Sequence, residues 1–494
     1  MTSIPFNNRY VNLGEAFYVR THPETVAAPA LIKFNDELAS SLGLSVANVE
    51  DCASIFSGNV IPEGAEPLAM AYAGHQFGGF NPQLGDGRAI LLGELVHPSG
   101  ASVSVHLKGS GQTHFSRNGD GRAALGPVLR EYLLSEAMHK LGVPTTRALA
   151  AVTTGEQVAR ERMLPGGVIT RVAKSFVRIG TFEYFAARDN YDAVKQLADY
   201  VIEHNYPQLR EVENPYQALL QAVVDAQAKL IAQWMQLGFI HGVMNTDNMS
   251  IAGETIDYGP CAFIDAFDYN KVFSSIDQNG RYAYGNQPSI GMWNLTRFAE
   301  TLLPLLAKDS DAAIEIAKNI LETYIETYQR AWLDGMRAKC GLLAVSDKTA
   351  HKDKVLIDDL LDTMAAGRAD FTLTFFYLSR LSAQPSEADE DIRKLFARPA
   401  QFNQWFIKWR ERLNNESLND EQRQVKMQAV NPVYIPRNHQ VEAAIRAAED
   451  HGDFSVFRDL HEVLQNPYEV QKGRNHYMSP PKPHEVVSKT FCGT

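Results

Sequence analysis

The chain has 494 residues, 45% apolar and 21% charged, a length and balance that suit a large bilobal enzyme or two to three domains around a sizeable core. A net charge of −11 argues against broad binding to nucleic acid or anionic membranes, so any bound polyanion must be gripped by a local basic cluster. The four cysteines (Cys52, Cys261, Cys340 and Cys492) show no CxxC or Cys/His spacing, which speaks against a zinc site or a disulfide scaffold.

Along the chain, "MTSIPFNNRYVNLG" has neither a basic n-region nor an apolar h-region, and no apolar run approaches the roughly 18 residues of a membrane span. A cytoplasmic protein without membrane contact is expected. Residues 1–60 read as an N-terminal extension, with an extended start and then a helix over "APALIKFNDELASSLG" (28–43), closed by Gly43. Residues 61–190 form a glycine-rich, strand-rich lobe. In it "AILLGELV" (89–96) and "ASVSVHLK" (101–108), joined by the turn "HPSG", predict a hairpin. A helix follows over 127–141, with Pro127 in its first turn and Gly142 as its stop, then strands at 148–153 and 167–173.

Residues 191–340 read as a helical lobe. "AVKQLADYVIEHNY" and "PYQALLQAVVDAQAKLIAQWMQLG" precede the loop "HGVMNTDNM" (241–249); "GMWNLTRFAETLLPLLA" and "AAIEIAKNILETYIETYQRAWLDGM" follow it. Residues 341–494 give more helices, an exposed link at "SAQPSEADED" (382–391) and a cysteine-bearing tail. A strand-rich front and a helical back make an α+β chain in the order of a protein-kinase-like bilobal fold with N- and C-terminal helical extensions. Pattern alone also admits other α+β arrangements.

The chemistry gathers in that loop. A kinase catalytic loop reads His-Arg-Asp-Leu-x-x-x-Asn, followed by Asp-Phe-Gly. Here His241 takes the His position, Asn248 the metal-binding Asn, and Asp257-Tyr258-Gly259 the Asp-Phe-Gly. Asn248 and Asp257 offer the hard oxygens that Mg2+ or Mn2+ demands. Val243, however, stands at the base position and cannot accept a proton, while an additional carboxylate, Asp247, precedes Asn248. Taken alone, "TDN" also suits a polar turn.

Lys108 at a strand end and Glu131 in the next helix, 23 residues on, suit the kinase lysine–glutamate pair, with Glu136 the other candidate. "GDGRA" occurs twice, at 85–89 and 119–123. Its glycines let backbone N–H groups crowd a phosphate, and its arginines add a forked grip. Arg171 and Arg178 add two cations. His75, His97, His106 and His114 show no metal spacing and read as ordinary polar residues. These residues leave three readings open: a metal-dependent nucleotidyltransferase, a kinase-like phosphotransferase with Asp247 as base, and a catalytically silent nucleotide-binding scaffold.

The strings "AYAGHQFGGFNPQLGDGRA", "KGSGQTHFSRNGDGRAALGPVLREY", "HGVMNTDNMSIAGETIDYGPCAF" and "NPVYIPRNH", with the cysteine near the C-terminus, resemble the selenoprotein O (YdiU) family of protein adenylyltransferases, described as pseudokinases. The resemblance runs over nearly the whole chain. It implies a kinase-like fold holding ATP inverted, with AMP (or, from UTP, UMP) passed to Ser, Thr or Tyr hydroxyls of protein substrates. It further implies that Gly85, Gly87, Arg88, Lys108, Asp120, Gly121, Arg171, Arg178 and Asp257 contact ATP. Asp247 is then the base, Asn248 and Asp257 hold Mg2+ or Mn2+, and Glu131 orients Lys108. Some bacterial members carry a second cysteine after the Asp-Tyr-Gly, suited to pairing with the C-terminal one. Residues 265–282 have none, so redox control through Cys492 would need Cys261, Cys340 or another protein as the partner.

Overall fold

The computed structural model describes residues 4–44, 49–343 and 347–491; Cys492 lies outside the described residues. The architecture is α+β, with an antiparallel sheet in the first third and helices through most of the rest. The strands are β1 (Tyr18–Arg20), β2 (Ala30–Phe34), β3 (Leu68–Met70), β4 (Gly74–Gln76), β5 (Gly79–Asn81), β6 (Ala89–Val96), β7 (Ser102–Lys108), β8 (Ala123–Ala124), β9 (Arg147–Ala159) and β10 (Met163–Ala173). The main sheet runs β1-β3-β6-β7-β10-β9-β2, with β8 beside β10, while β4 and β5 form a separate hairpin.

The hairpin expected at 89–108 is β6–β7, with Ala89 opposite Lys108. On the other side of β7, Lys108 faces Ile169 and His106 faces Arg171. The period-2 alternation of a strand then sorts the side chains. Val105 and Leu107 pack with Leu38, Ile55 and Phe56 of the N-terminal helices α1 (Asp36–Ser41) and α2 (Val49–Ser57). His106 and Lys108 turn to the opposite face, toward the site.

One expectation fails. The helix predicted over 28–43 is half strand: Ala30–Phe34 adds β2 to the sheet edge beside β9, and only Asp36–Ser41 is helical. Asn35 marks the change by accepting the Leu38 N–H (3.0 Å) as an N-cap. Pairing with β9 outweighs helical propensity here.

The helix α3 (Leu125–Lys140) lies under the sheet and is buried on nearly every face. Helices Asn438–His451 and Ser455–Leu464 close over it with Val441, Ile445 and Phe457 in the shared core. Then come α4 (Ile179–Ala186), α5 (Tyr191–Asn205), α6 (Pro215–Leu237), α7 (Gln287–Leu306) and α8 (Ser310–Cys340). Gly238 ends α6 at φ 71, the left-handed conformation that glycine reaches without a Cβ penalty. The chain turns there into β11 (Phe239–Ile240), which pairs with β12 (Ala262–Phe263); the loop between them holds Asp247, Asn248 and Asp257. The link expected at 382–391 is largely exposed, although Asp389 is buried against Arg410 (2.8 Å). Cys52, Cys261 and Cys340 are buried, and burial pushes the Cys52 and Cys340 thiols up to about 11 and about 12. Among the described residues, no helix is long and apolar enough to cross a membrane.

Candidate functional site

Between the sheet and the β11–β12 loop lies a cavity of about 710 Å³, the size of a small-molecule site. Gly85, Gly87, Arg88, Lys108, Asp120, Gly121, Arg171, Arg178, Asp247, Asn248 and Asp257 all line it, as does Val243. Segments from four parts of the chain thus meet around one space. Glu131 stands behind Lys108 and takes its Nζ at 2.6 Å. Glu136, the alternative partner, instead holds Arg147 (2.8 Å).

Asp257 is the electrostatic centre. Its backbone is left-handed (φ 58), uncommon for a non-glycine residue. Its Oδ1 accepts from Arg171 (2.6 Å) and Lys108 (3.4 Å), and its Oδ2 from Arg178 (2.6 Å). Burial alone would raise this carboxyl, but Arg178, Arg171 and Lys108 together hold it well below the usual carboxylate range. Glu131 is likewise kept low against its burial by Lys108 and Arg171. Lys108, Arg171 and Arg178 therefore meet three carboxylates, Asp257, Glu131 and Asp86 (3.9 Å from Arg178), a dense network of alternating charge on one wall of the cavity.

Asp247 is the opposite case. It sits in the 3₁₀ turn Thr246–Asn248, and burial pushes its carboxyl up to about 7 despite the nearby Arg178 guanidinium. Arg178 donates to the Asp247 backbone carbonyl (2.6 Å) rather than to the carboxylate. Oδ2 accepts from Gln76 (3.2 Å), while the buried Oδ1 has no hydrogen-bond partner among the described residues. A buried carboxyl held near neutral with one free oxygen has the properties that general-base chemistry requires. Beside it, Asn248 donates its Nδ2 to the Val243 carbonyl (3.0 Å), which leaves its Oδ1 for another partner. His241 joins the two chemical segments: its N–H groups bond Gln287 (2.9 Å) and the Ile256 carbonyl (2.8 Å), and burial lowers its imidazole and favours the neutral form.

The glycine-rich repeats do something the sequence reading did not foresee. The Gly85 and Asp86 N–H groups bond the carbonyls of Tyr72 and Met70, so neither is available to a phosphate. A Cβ at Gly85 would strike the Phe115 ring, and one at Gly121 the Gly111 carbonyl. These glycines let the loops interlock, which brings Arg88 and Arg122 to the cavity. Asp120 is held by both Arg160 nitrogens (2.7 and 3.1 Å).

His106, expected to be an ordinary polar residue, is fully buried. Its Nδ1 accepts from Arg171 (2.8 Å), so its Nε2–H donates to Asp86 (3.1 Å). Its place two residues before Lys108 on one strand face was the available signal. His75 is similarly engaged by Glu183 (2.5 Å), which also accepts the Thr246 hydroxyl. Arg160 carried no sequence signal: it lies in the turn just after β9.

A profile of the family described as "Protein adenylyltransferase SelO" matches residues 1–465. A relative from Rhizobium johnstonii named "Protein nucleotidyltransferase YdiU" is 57% identical over 493 residues, covering 100% of this chain and 98% of its own. Proteins of the same name from Rhizobium meliloti and Rhodopseudomonas palustris are each 56% identical, covering 100% and 99% of this chain and 100% and 99% of theirs.

Proposed function

The chain belongs to the SelO family of protein adenylyltransferases, and from that premise we propose that it transfers AMP from ATP to Ser, Thr or Tyr hydroxyls of proteins. In this reading residues 61–190 and 191–340 act as the two lobes of a kinase-like fold, flanked by the extensions 1–60 and 341–494. ATP lies inverted, its outer phosphates toward Lys108, Arg171, Arg178 and Arg88 and its α-phosphorus toward Asp247. The observation that carries the reading is Asp247: a buried carboxylate near neutral pKa, one oxygen unpartnered, beside a cation cluster. Val243 occupies the kinase base position and accepts no proton.

The acceptor hydroxyl gives its proton to Asp247 as its oxygen bonds to the α-phosphorus. The bond from the α-phosphorus to the β-bridging oxygen breaks, and pyrophosphate leaves with the electron pair. Charge developing on that pyrophosphate is stabilised by the guanidinium groups, which are already oriented by Asp257, Glu131 and His106. Gly85, Gly87, Asp120 and Gly121 shape the cradle around the nucleotide.

The oxygens present fit a divalent metal. Asp257 has about four lone-pair sites, of which three take cations, and Asn248 keeps a carbonyl oxygen. Among the described residues no group of three or more His, Cys, Asp or Glu is placed to hold a metal alone, so phosphate oxygens and water would complete the shell. Asn248 and Asp257 would hold Mg2+ or Mn2+, which when bound neutralises phosphate charge. UTP is a variant the same phosphate grip admits. A cytoplasmic setting supplies ATP and suits the buried Cys52 and Cys340 thiols.

Labelled ATP tests this. Label at the α-phosphate should appear on protein and label at the γ-phosphate should not, with an added mass of about 329 Da for AMP rather than roughly 80 Da for phosphate. Transfer of γ-label, abolished by Asp247→Asn, would identify an unusual kinase instead.

A further inference from the structure

The β4–β5 hairpin turns through Phe77 (φ 53) and Gly78 (φ 87), both left-handed. Such a two-residue turn favours Asn-Gly, because its first central residue must also reach positive φ. A bulky aromatic there is an outlier; one side of its ring lies against Tyr282 (centroids 5.1 Å apart), yet Phe77 stays 37% exposed. Phe80 on the same hairpin is 41% exposed, and Ile276, which lines the same cavity as Phe77, 57%. The hairpin is nonetheless fixed to the Asp247 loop. The His75 N–H bonds the Thr246 hydroxyl (2.7 Å), the Phe77 N–H bonds Asn245 (3.1 Å), and the Gln76 amide bonds Asp247 itself. A rigid mount carrying exposed apolar rings one and four residues from Gln76, the contact to Asp247, has the character of a recognition surface.

Its position says what it would recognise. Gln76, Phe77 and Ile276 line the same cavity as Asp247, at its mouth. A hydroxyl that reaches Asp247 is carried on a polypeptide advancing about 3.3–3.6 Å per residue, so its near neighbours must cross these rings. Alongside the turn, the Arg281 guanidinium lies over Trp293 (4.8 Å) and Tyr282 (5.7 Å). Among the described residues no carboxylate stands within ion-pair distance of it. Asp277, close in sequence, accepts the backbone N–H groups of Arg281 (2.9 Å) and Tyr282 (2.8 Å) instead.

We propose that this hairpin is the docking shelf for the acceptor protein, taking an extended segment with an apolar side chain near the acceptor hydroxyl and a carboxylate for Arg281. The proposal rests on the transfer reading above. Phe77 sets the apolar preference and Arg281 the acidic one.

The test is a positional-scanning library of short peptides with a central Ser, scored by α-label from ATP. Phe77→Asn suits it because asparagine is at ease in that turn, so the variant should unfold at or above the wild-type midpoint. The wild type should favour apolar residues within three positions of the Ser and acidic ones further along. Phe77→Asn should reduce the apolar preference in kcat/KM at least five-fold, through KM rather than kcat. Arg281→Gln should reduce only the acidic preference. Label spread evenly over the library, or an apolar preference unchanged in Phe77→Asn, would overturn the shelf while leaving AMP transfer intact. Loss of all α-label transfer by the wild type, self-modification included, would overturn the transfer reading and the shelf with it.

Discussion

In the proposed role of base, Asp247 serves reactivity at a cost in stability. Its carboxyl is buried and pushed up to about 7, so the folded state holds a proton that the unfolded chain has released by neutral pH. Stability from this group is therefore lost as pH rises from the ordinary carboxylate range through about 7, while basicity appears over the upper part of that window. Asp247→Asn should slow transfer by roughly 10²–10⁴ with ATP affinity little changed. At pH 8 it should also stabilise the fold, by up to roughly 4 kcal/mol. Thermal unfolding of both proteins at pH 5.5 and 8 checks this: the gap should widen at the higher pH, and wild-type activity should rise with pH through about 7. Asn248, Asp257, Lys108 and Glu131 were legible because kinase chemistry fixes their types and spacing, whereas Asp247 stood out only as an additional carboxylate beside Asn248. His106 and Arg160 were not, because their partners lie on other strands and loops, and only the sheet register brings them together.

Among elements, the hairpins and long helices were readable and the sheet edge was not. β6–β7 announces itself by two apolar or alternating runs around a turn, and α6 by helical apolar spacing ending in Gly238. β2 hides inside a helix-like string because its strand state depends on β9, more than a hundred residues later. The repeated "GDGRA" reads in sequence as a phosphate cradle, whereas in the fold its glycines interlock two loops. That interlock has a consequence at Gly121, which sits at φ 65 with the Gly111 carbonyl where a Cβ would go. Gly121→Ala should strain the turn by about 1–3 kcal/mol and displace Arg122 and the Asp120–Arg160 pair. Calorimetric titration with ATP should show weaker binding, whereas Gly452→Ala, where a Cβ meets only open space, should leave binding unchanged.

At the scale of the whole molecule, the end of the chain returns to the centre of its chemistry. Thr490 is 2% exposed; its hydroxyl donates to the Pro260 carbonyl (2.6 Å), three residues beyond Asp257. Its N–H bonds the Phe273 carbonyl (2.8 Å), and its own carbonyl accepts from Ser275 (3.0 Å). The tail therefore clamps the segment that leaves Asp257, an arrangement invisible in sequence because the partners are over two hundred residues apart. Residues 265–282 hold no cysteine, but Cys261 lies beside Pro260, so the tail has two routes to this segment, the Thr490 hydrogen bonds and the Cys492 thiol. Two variants separate these contributions. A chain ended at Val487 loses all three Thr490 contacts, each worth about 0.5–1.5 kcal/mol net, so residues 257–275 should exchange amide hydrogens faster and metal-dependent ATP binding should weaken several-fold. Cys492→Ser keeps Thr490 and should stay within about a few-fold of wild-type activity under reducing conditions. The reverse pattern, with the serine variant inactive and the shortened chain unaffected, would mean that the tail acts through its sulfur.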